Sequence, residues 1–378
     1  MRITFISTLT NHWGGSEELW TRTASLAIKE GHKVQIVIYR QRNYHPTLLE
    51  LIKTATSCIF LPAEKKSTNI FAKIKYFLSN KIRRNPLQSL SKFKPKAIVI
   101  NQVHNYSAPF NPYIFKHLST SGFRYILLSQ FNQDYLTLNT EDRKKAIDCY
   151  TNAYKAIFVS KRNLFQTEHQ LARSLCNASV IDNPLNLKEL QTVPWPETND
   201  TICFASVARL ECSFKGQDIL LSILSKKEWK ERSWHLNFYG TGPDEVYLKD
   251  LVDYYKLNKR VTFHGHLNDV RLIWANNHIL LLPSLAEGKP LALEEALVCG
   301  RPAVVSDVAG NTELVEEGLN GFVASSFFIK PFEAALERAW RQRDEWQNMG
   351  YSGHKKMLRE LDFNPEITLL KAIVDQSK

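Results

Sequence analysis

Arg2-Ile-Thr-Phe-Ile-Ser7, a turn at Gly14-Gly15, a helical stretch from Ser16 to Lys29, a stop at Gly31 and then Lys33-Val-Gln-Ile-Val-Ile-Tyr39 follow one another at the start of the chain. Extended run, helical run and extended run in this order form a βαβ unit, with Ser16 as a suitable N-cap for the helix. Outward from that unit the alternation continues. Ala97 to Ile100, Tyr125 to Leu128 and Ala156 to Val159 are further strand patterns, and between Asn183 and Asp200 the pattern stops at Pro184, Pro194 and Pro196. A fresh series then runs through Ile202 to Val207, Leu236 to Tyr239, Val261 to Phe263, Ile279 to Leu282 and Ala303 to Val305. The expected fold class is α/β, with two Rossmann-like, doubly wound domains. Residues 1–185 form the first domain, 186–199 a linker, 200–360 the second domain, and 361–378 a C-terminal helix placed to pack back on the first. Ligands of such folds bind beyond the carboxyl ends of the strands, so the site is expected in a cleft between two facing domains.

Composition supports this reading. A chain of 378 residues holds roughly two to three domains at about 150 residues each. Hydrophobic residues at 44% and charged residues at 23% exclude a disordered or fibrous chain. The longest apolar runs fall far short of the ~20 residues of a membrane span, and Met1 to Ser7 lacks the pattern of a secretory leader. The six cysteines form no C-x-x-C pair, consistent with reduced core residues and a cytoplasmic protein.

The net charge of +11 is concentrated, with ten Lys/Arg and no Asp or Glu between Lys65 and Lys96. Inside this segment Ile70, Phe71, Ile74, Phe77, Leu78 and Ile82 mark one helical face, while Lys73, Lys75, Lys81, Arg83 and Arg84 lie on or beside the other. Such a helix suits either an anionic membrane surface, making the protein peripheral on the inner face of the plasma membrane, or the ordinary covering of the first sheet. Nucleic acid is not an expected partner, because no aromatic interleaving or recognisable module accompanies the charge.

The chemistry centres on Pro283-Ser-Leu-Ala-Glu287-Gly-Lys-Pro290-Leu-Ala-Leu-Glu-Glu295-Ala, directly after the apolar run Ile279 to Leu282. Pro290 suits a first helical position, which leaves the amides of Leu291 and Ala292 free to meet a phosphate. Two carboxylates beside a phosphate repel it. Glu287 and Glu295 are therefore expected to grip hydroxyls, a sugar for one and a ribose diol for the other. Tyr239-Gly240-Thr-Gly242-Pro243 imitates a dinucleotide fingerprint, but Glu245 occupies the sixth position and no ribose-binding acid follows. His264 and His266 could share a strand face as metal ligands, yet third and fourth ligands are missing nearby.

The Glu287 to Glu295 stretch resembles the E-x7-E signature of retaining glycosyltransferases of the GT4 family, which have the GT-B fold. The likeness continues through Gly300-Arg-Pro302, Asp307, Gly310, Glu313, Gly318 and Asn320-Gly321 and covers nearly the whole chain, most specifically 202 to 323. It implies that Glu287 contacts the donor sugar, that Gly288, Lys289, Pro290, Leu291 and Ala292 supply loop and amides around a pyrophosphate, and that Glu295 holds the ribose. It further implies that Arg209 and Lys215 neutralise the departing diphosphate, that Gly240 and Gly242 line the nucleotide, and that His266 and Leu267 flank the base. Ala208 stands where the family usually has glycine.

In the first half, Gly14 and Gly15 match the family's Gly-Gly-x-Glu opening, where the backbone approaches donor or acceptor. Many relatives carry a histidine near the anomeric carbon. Here Gln130 occupies that place, and His104 is the other candidate. No D-x-D occurs. The implied reaction is metal-independent and uses no cofactor beyond a nucleotide-sugar donor, a UDP- or GDP-sugar, with a saccharide or lipid-linked acceptor. The competing readings are a nucleotide-sugar epimerase on the same fold and a catalytically silent sugar-nucleotide or membrane-binding protein, the latter motivated by Gln130.

Overall fold

The computed structural model describes residues 1–10, 13–62, 87, 90–197 and 200–375. These residues fall into two units. One draws on Met1–Asn132, Leu136–Pro184 and Asn364–Lys378, the other on Gln133–Tyr135 and Leu185–Phe363.

The first unit is built on β1 (Arg2–Ser7), β2 (Lys33–Tyr39), β3 (Ser57–Leu61), β4 (Ala97–Gln102), β5 (Tyr125–Ser129), β6 (Lys155–Phe158) and β7 (Ala178–Val180), in the order β3-β2-β1-β4-β5-β6-β7. Every pairing recorded in this sheet is parallel. Successive residues of β4 serve opposite faces. Ile98 and Ile100 enter one buried cluster with Val37 and Leu127, while Ala97 and Val99 enter another with Phe5, Leu19 and Trp20. Burial on both faces explains why these strands are apolar runs. Leu369, Leu370 and Ile373 of the terminal helix Pro365–Val374 complete the second cluster, so the chain's last helix belongs to its first unit.

The second unit holds β8 (Ile202–Val207), β9 (Trp234–Tyr239), β10 (Val261–Phe263), β11 (Ile279–Leu282), β12 (Ala303–Ser306) and β13 (Gly321–Ala324), in the order β10-β9-β8-β11-β12-β13. All recorded pairings are again parallel. Ile279 and Leu281 face one core, Leu280 and Leu282 the other. In each sheet the strand order reverses once, between β1 and β4 and between β8 and β11. The loops that leave these strands are where a doubly wound sheet offers a crevice.

Two expectations require correction. The segment expected to be a linker is packed on the second unit. Arg301, only 1% exposed, donates to the carbonyl oxygens of Val193, Pro194, Trp274 and Asn277, and its guanidinium lies 4.9 Å from the Trp195 ring centre. A buried guanidinium needs acceptors for its donors, and the proline-rich backbone supplies two of them. Ser16 does not cap a helix either. It lies inside a 3-10 turn, Gly15–Glu17, and the α-helix begins only at Glu18–Lys29, with Glu17 in the capping position.

The amphipathic pattern Ile70 to Ile82 lies outside the described residues. At the described end of the basic segment, Leu87 and Leu90 are buried in the first unit's core. Among the described residues no helix is long and apolar enough to cross a membrane.

Candidate functional site

β8 and β11 are hydrogen-bonded neighbours, so the loops that follow them start side by side. After β8 comes Ala208 to Glu211, a short helix Cys212–Lys215 and then Gly216 in the left-handed region at φ +63°. A Cβ at Gly216 would lie 2.4 Å from the carbonyl oxygen of Pro283, a separation no side chain tolerates. Leu285 N donates to Phe214 O at 2.8 Å. The two loops are thus in backbone contact, and this contact sets the site.

Lys215 Nζ lies 2.6 Å from Glu287 Oε1, and Ser284 Oγ donates to the same oxygen at 2.7 Å. Ser284 is held in turn, its carbonyl accepting from Ser306 Oγ at 2.5 Å. Glu287 is 4% exposed, and a cation and a hydroxyl both reach its Oε1. Arg209 takes a different partner. Its Nε lies 3.2 Å from Glu211 Oε2, and its carbonyl accepts from Gln217 Nε2 at 2.7 Å. The two expected cations share one loop but face different carboxylates.

Pro290 is not the first helical residue. With ψ at 118° it is extended and acts as the N-cap of Leu291–Val298, its carbonyl accepting from Leu293 N at 3.0 Å and Glu294 N at 3.3 Å. The helix therefore starts one residue later than expected. Leu291 and Ala292 remain the two first helical amides, which have no acceptor within the helix. Three further anchors surround them. Gly288 O accepts from Gly310 N at 2.9 Å, Lys289 Nζ lies 3.2 Å from Glu294 Oε1, and Glu295 is buried on the next turn.

The glycines after β9 are explained by crowding. A Cβ at Gly240 would sit 2.1 Å from Ala208 O, and one at Gly242 would sit 2.2 Å from Leu210 O. They let the β9 loop press against the Ala208 to Leu210 backbone, which orders the segment carrying Arg209. Gly240 N donates to Gly265 O at 2.7 Å, bringing the His266 loop alongside. His266 is exposed, and Leu267 packs partly into the core. His264 Nε2 lies 2.8 Å from Asn237 Oδ1 and its ring stacks on Tyr239, while burial lowers its pKa. Among the described residues no group of three or more His, Cys, Asp or Glu is placed to hold a metal ion.

In the first unit Gly14 precedes the Gly15–Glu17 turn, and a Cβ there would meet none of the described residues within 4 Å. Glu17 is fully buried. It accepts from Ser7 Oγ at 2.9 Å, Trp20 Nε1 at 2.7 Å and Asn101 Nδ2 at 2.7 Å. Burial pushes its carboxyl up to about 7 despite these donors. Gln130, at the end of β5, is 4% exposed and accepts from Asn183 Nδ2 at 2.9 Å. His104, beyond neighbouring β4, is exposed, with its ring edge-on to Phe131 at 5.0 Å.

Sequence reasoning missed Ser284, Glu294 and the burial of Glu17. The spacing of Lys289 and Glu294 across a helix start was a usable signal for that pair. Nothing local to Ser284 marks it, because its partner is set by the loop geometry.

Residues 188–356 match the family described as Glycosyl transferases group 1. The chain is 30% identical over 204 residues, 54% of its length, to an uncharacterized glycosyltransferase of Haemophilus influenzae, and covers 53% of that protein. It is 29% identical over 208 residues, 52% of its length, to the lipopolysaccharide 1,6-galactosyltransferase of Salmonella typhimurium, and covers 55% of it. The matched stretch thus spans about half the length of these curated relatives. Among solved structures, Anabaena HepE in complex with UDP superposes with a TM-score of 0.71 at 14% identity, 99% of each chain being covered. The two doubly wound units are those of a GT-B fold, and residues 188–356 are similar to the glycosyl transferases group 1 family.

Proposed function

We propose that the chain is a retaining, metal-independent glycosyltransferase of the GT4 type that moves a sugar from a UDP- or GDP-sugar to a hydroxyl of a saccharide or lipid-linked acceptor. The observation that carries this reading is the Lys215–Glu287 contact, set where β8 and β11 end beside the first amides of Leu291–Val298. Supporting it are a relative that acts on lipopolysaccharide and a structural neighbour that holds UDP.

The diphosphate sits at the helix start, on the amides of Leu291 and Ala292. Lys215 and Arg209 turn from their carboxylates to its oxygens. Glu287 then accepts from hydroxyls of the sugar, and Glu295 from the ribose. Negative charge grows on the diphosphate as its bond to the anomeric carbon breaks, so fixed cations act most strongly in the transition state. The acceptor oxygen forms its bond on the same face, and its proton passes to the departing phosphate oxygen. No protein base is needed in this sequence, which suits the amide of Gln130. The basic segment 65–96 belongs to the same proposal as a contact with anionic lipid, tested by co-sedimentation with vesicles containing phosphatidylglycerol.

The test is transfer from labelled UDP- and GDP-sugars to a panel of acceptors by the wild type and by Glu287→Ala and Lys215→Ala. Loss of nearly all transfer in both variants, with folding intact, is the expected result. Near-normal turnover in either removes that residue's role. Gln130 favours a second reading, a silent donor-binding protein. Calorimetric binding of nucleotide by the wild type without transfer to any acceptor would favour it.

A further inference from the structure

A primary amide offers a carbonyl at one end and two N–H donors at the other, and the donor-site reading leaves open which end of Gln130 meets substrate. Gln130 N donates to Gln102 O at 3.2 Å, so the pairing of β5 with β4 runs one residue past the strand and fixes this backbone. Asn183 follows β7, and β6 lies between β7 and β5 in the sheet. Asn183 Nδ2 donates to Gln130 Oε1 at 2.9 Å, the two residues being 6% and 4% exposed. The carbonyl of Gln130 is thereby engaged, while Gln130 Nε2 and Asn183 Oδ1 are buried without a hydrogen-bond partner among the described residues. A third such atom lies on the same face. Asn101 stands opposite Leu128 in the β4–β5 register, and Val99 and Leu128 share one core cluster, so alternation carries Asn101 and Gln130 onto that side of the sheet. Asn101 Nδ2 donates to Glu17, which leaves its Oδ1, again buried and without a partner among the described residues. Such atoms cost free energy unless a partner reaches them, and these three lie at the carboxyl end of the sheet, where doubly wound folds bind ligands. One N–H end and two carbonyls suit a hydroxyl, which both accepts and donates. They do not suit a diphosphate, which only accepts.

Resting on the reading that the transferred sugar lies at Gln130, we propose that Asn183 is a positioning residue, holding the carbonyl of Gln130 so that its amide nitrogen is the end that donates to a hydroxyl of that sugar. The consequence is an order among variants. Asn183→Leu frees the amide to turn either way, which weakens the contact without removing it. Asn183→Asp has no hydrogen to give, so Gln130 turns its nitrogen to the carboxylate and its carbonyl to the sugar, and the contact is lost. Were the two amides reversed, with Gln130 donating to Asn183, a carboxylate would serve as well as the amide. Once Gln130 is replaced by leucine, neither substitution has an amide left to misdirect.

The experiment is calorimetric titration of the full chain with UDP and UDP-glucose, and with GDP and GDP-mannose as the second pair. The readout is the affinity for the sugar nucleotide relative to its bare nucleotide, and binding of the bare nucleotide checks that each variant is folded. Gln130→Leu and Asn183→Asp should each lower that ratio about tenfold and Asn183→Leu about threefold, the scale of one hydrogen bond. Adding either Asn183 substitution to Gln130→Leu should lower it no further. A merely structural Asn183 would lower the ratio in both backgrounds, as would the charge that Asn183→Asp introduces, and that outcome overturns the proposal. An unchanged ratio in Gln130→Leu also overturns it, since a fixed internal water would then be the partner of Nε2. So does an Asn183→Asp ratio at or above that of Asn183→Leu, and so does an equal loss for the bare nucleotide in Gln130→Leu, which would assign the contact to the diphosphate. Should Asn183→Asp fail to fold, the cycle of Asn183→Leu with Gln130→Leu decides alone. A wild type that binds neither sugar nucleotide defeats the donor-site reading itself, a result distinct from binding with an unmoved ratio.

Discussion

The two sheets reverse their strand order once each, and each reversal has a buried glutamate beside it, yet the two glutamates live in opposite electrostatic settings. Glu287, after β11, has an ammonium 2.6 Å away and one serine donor. Glu17, after β1, has three neutral donors from Ser7, Trp20 and Asn101. Neutral donors compensate a buried carboxylate less than a cation does, and Glu17 holds its proton to about 7. The glycines differ in the same sense. Gly216, Gly240 and Gly242 of the second unit are forced, since a Cβ on them would lie 2.4, 2.1 and 2.2 Å from backbone oxygens, while a Cβ on Gly14 would meet none of the described residues within 4 Å. One topology therefore yields a charged, tightly packed loop cluster in one unit and a neutral, looser one in the other.

The largest expected effect falls on the charged side. Lys215→Ala should reduce transfer about 10²- to 10³-fold, the usual loss when a charge-stabilising donor is removed. Steady-state turnover against the wild type reads it, and a loss below fivefold would place the working cation elsewhere.

The neutral side responds to pH. The folded carboxyl of Glu17 titrates near 7 and the unfolded one near its ordinary value of 4.5, so below that value both are protonated and the contribution to stability is fully present. As pH rises from 4.5 through 7, the unfolded state releases the proton first and stability falls, by about 3 kcal/mol in all. Denaturant unfolding between pH 4.5 and 8 measures this slope. Glu17→Gln should abolish it, because an uncharged amide fits the same donors once Asn101 turns its carbonyl inward. An unchanged slope in that variant would assign the titration to another group.

The glycine contrast gives the smaller pair. Gly242→Ala forces a Cβ to within 2.2 Å of Leu210 O and should destabilise by about 1–3 kcal/mol. Gly14→Ala, at φ −155° and with none of the described residues within 4 Å of the new Cβ, should change stability by less than about 1 kcal/mol and in the favourable direction. Equal melting temperatures for the two variants would mean that the β9 loop can withdraw from the Ala208 to Leu210 backbone.

The central strands were legible in the sequence because they are buried on both faces and apolar throughout. Those not anticipated as strands, β3, β7 and β13, all lie at sheet edges, and two of them are largely half-buried, so the apolar signal fades. Glu287 and the Leu291–Val298 helix start were legible because their features are local to one stretch. The partnership of Lys215 and Glu287 was not, since 72 residues separate them and only the register of β8 on β11 brings them together. Arg301 was invisible as a hub for a further reason. Its partners are backbone carbonyls, which every sequence possesses, and the prolines that suggested a linker lie in a segment whose Val193 and Pro194 carbonyls Arg301 holds.

Transfer as proposed requires a diphosphate held at the Leu291–Val298 helix start with the help of Lys215. Calorimetric titration of UDP and GDP against the matching nucleosides, in wild type and in Lys215→Ala, tests this most directly. The expected result is a diphosphate at least about 100-fold tighter than its nucleoside in the wild type, with most of that ratio lost in the variant. Equal affinity for diphosphate and nucleoside, or a ratio unchanged by Lys215→Ala, would contradict it.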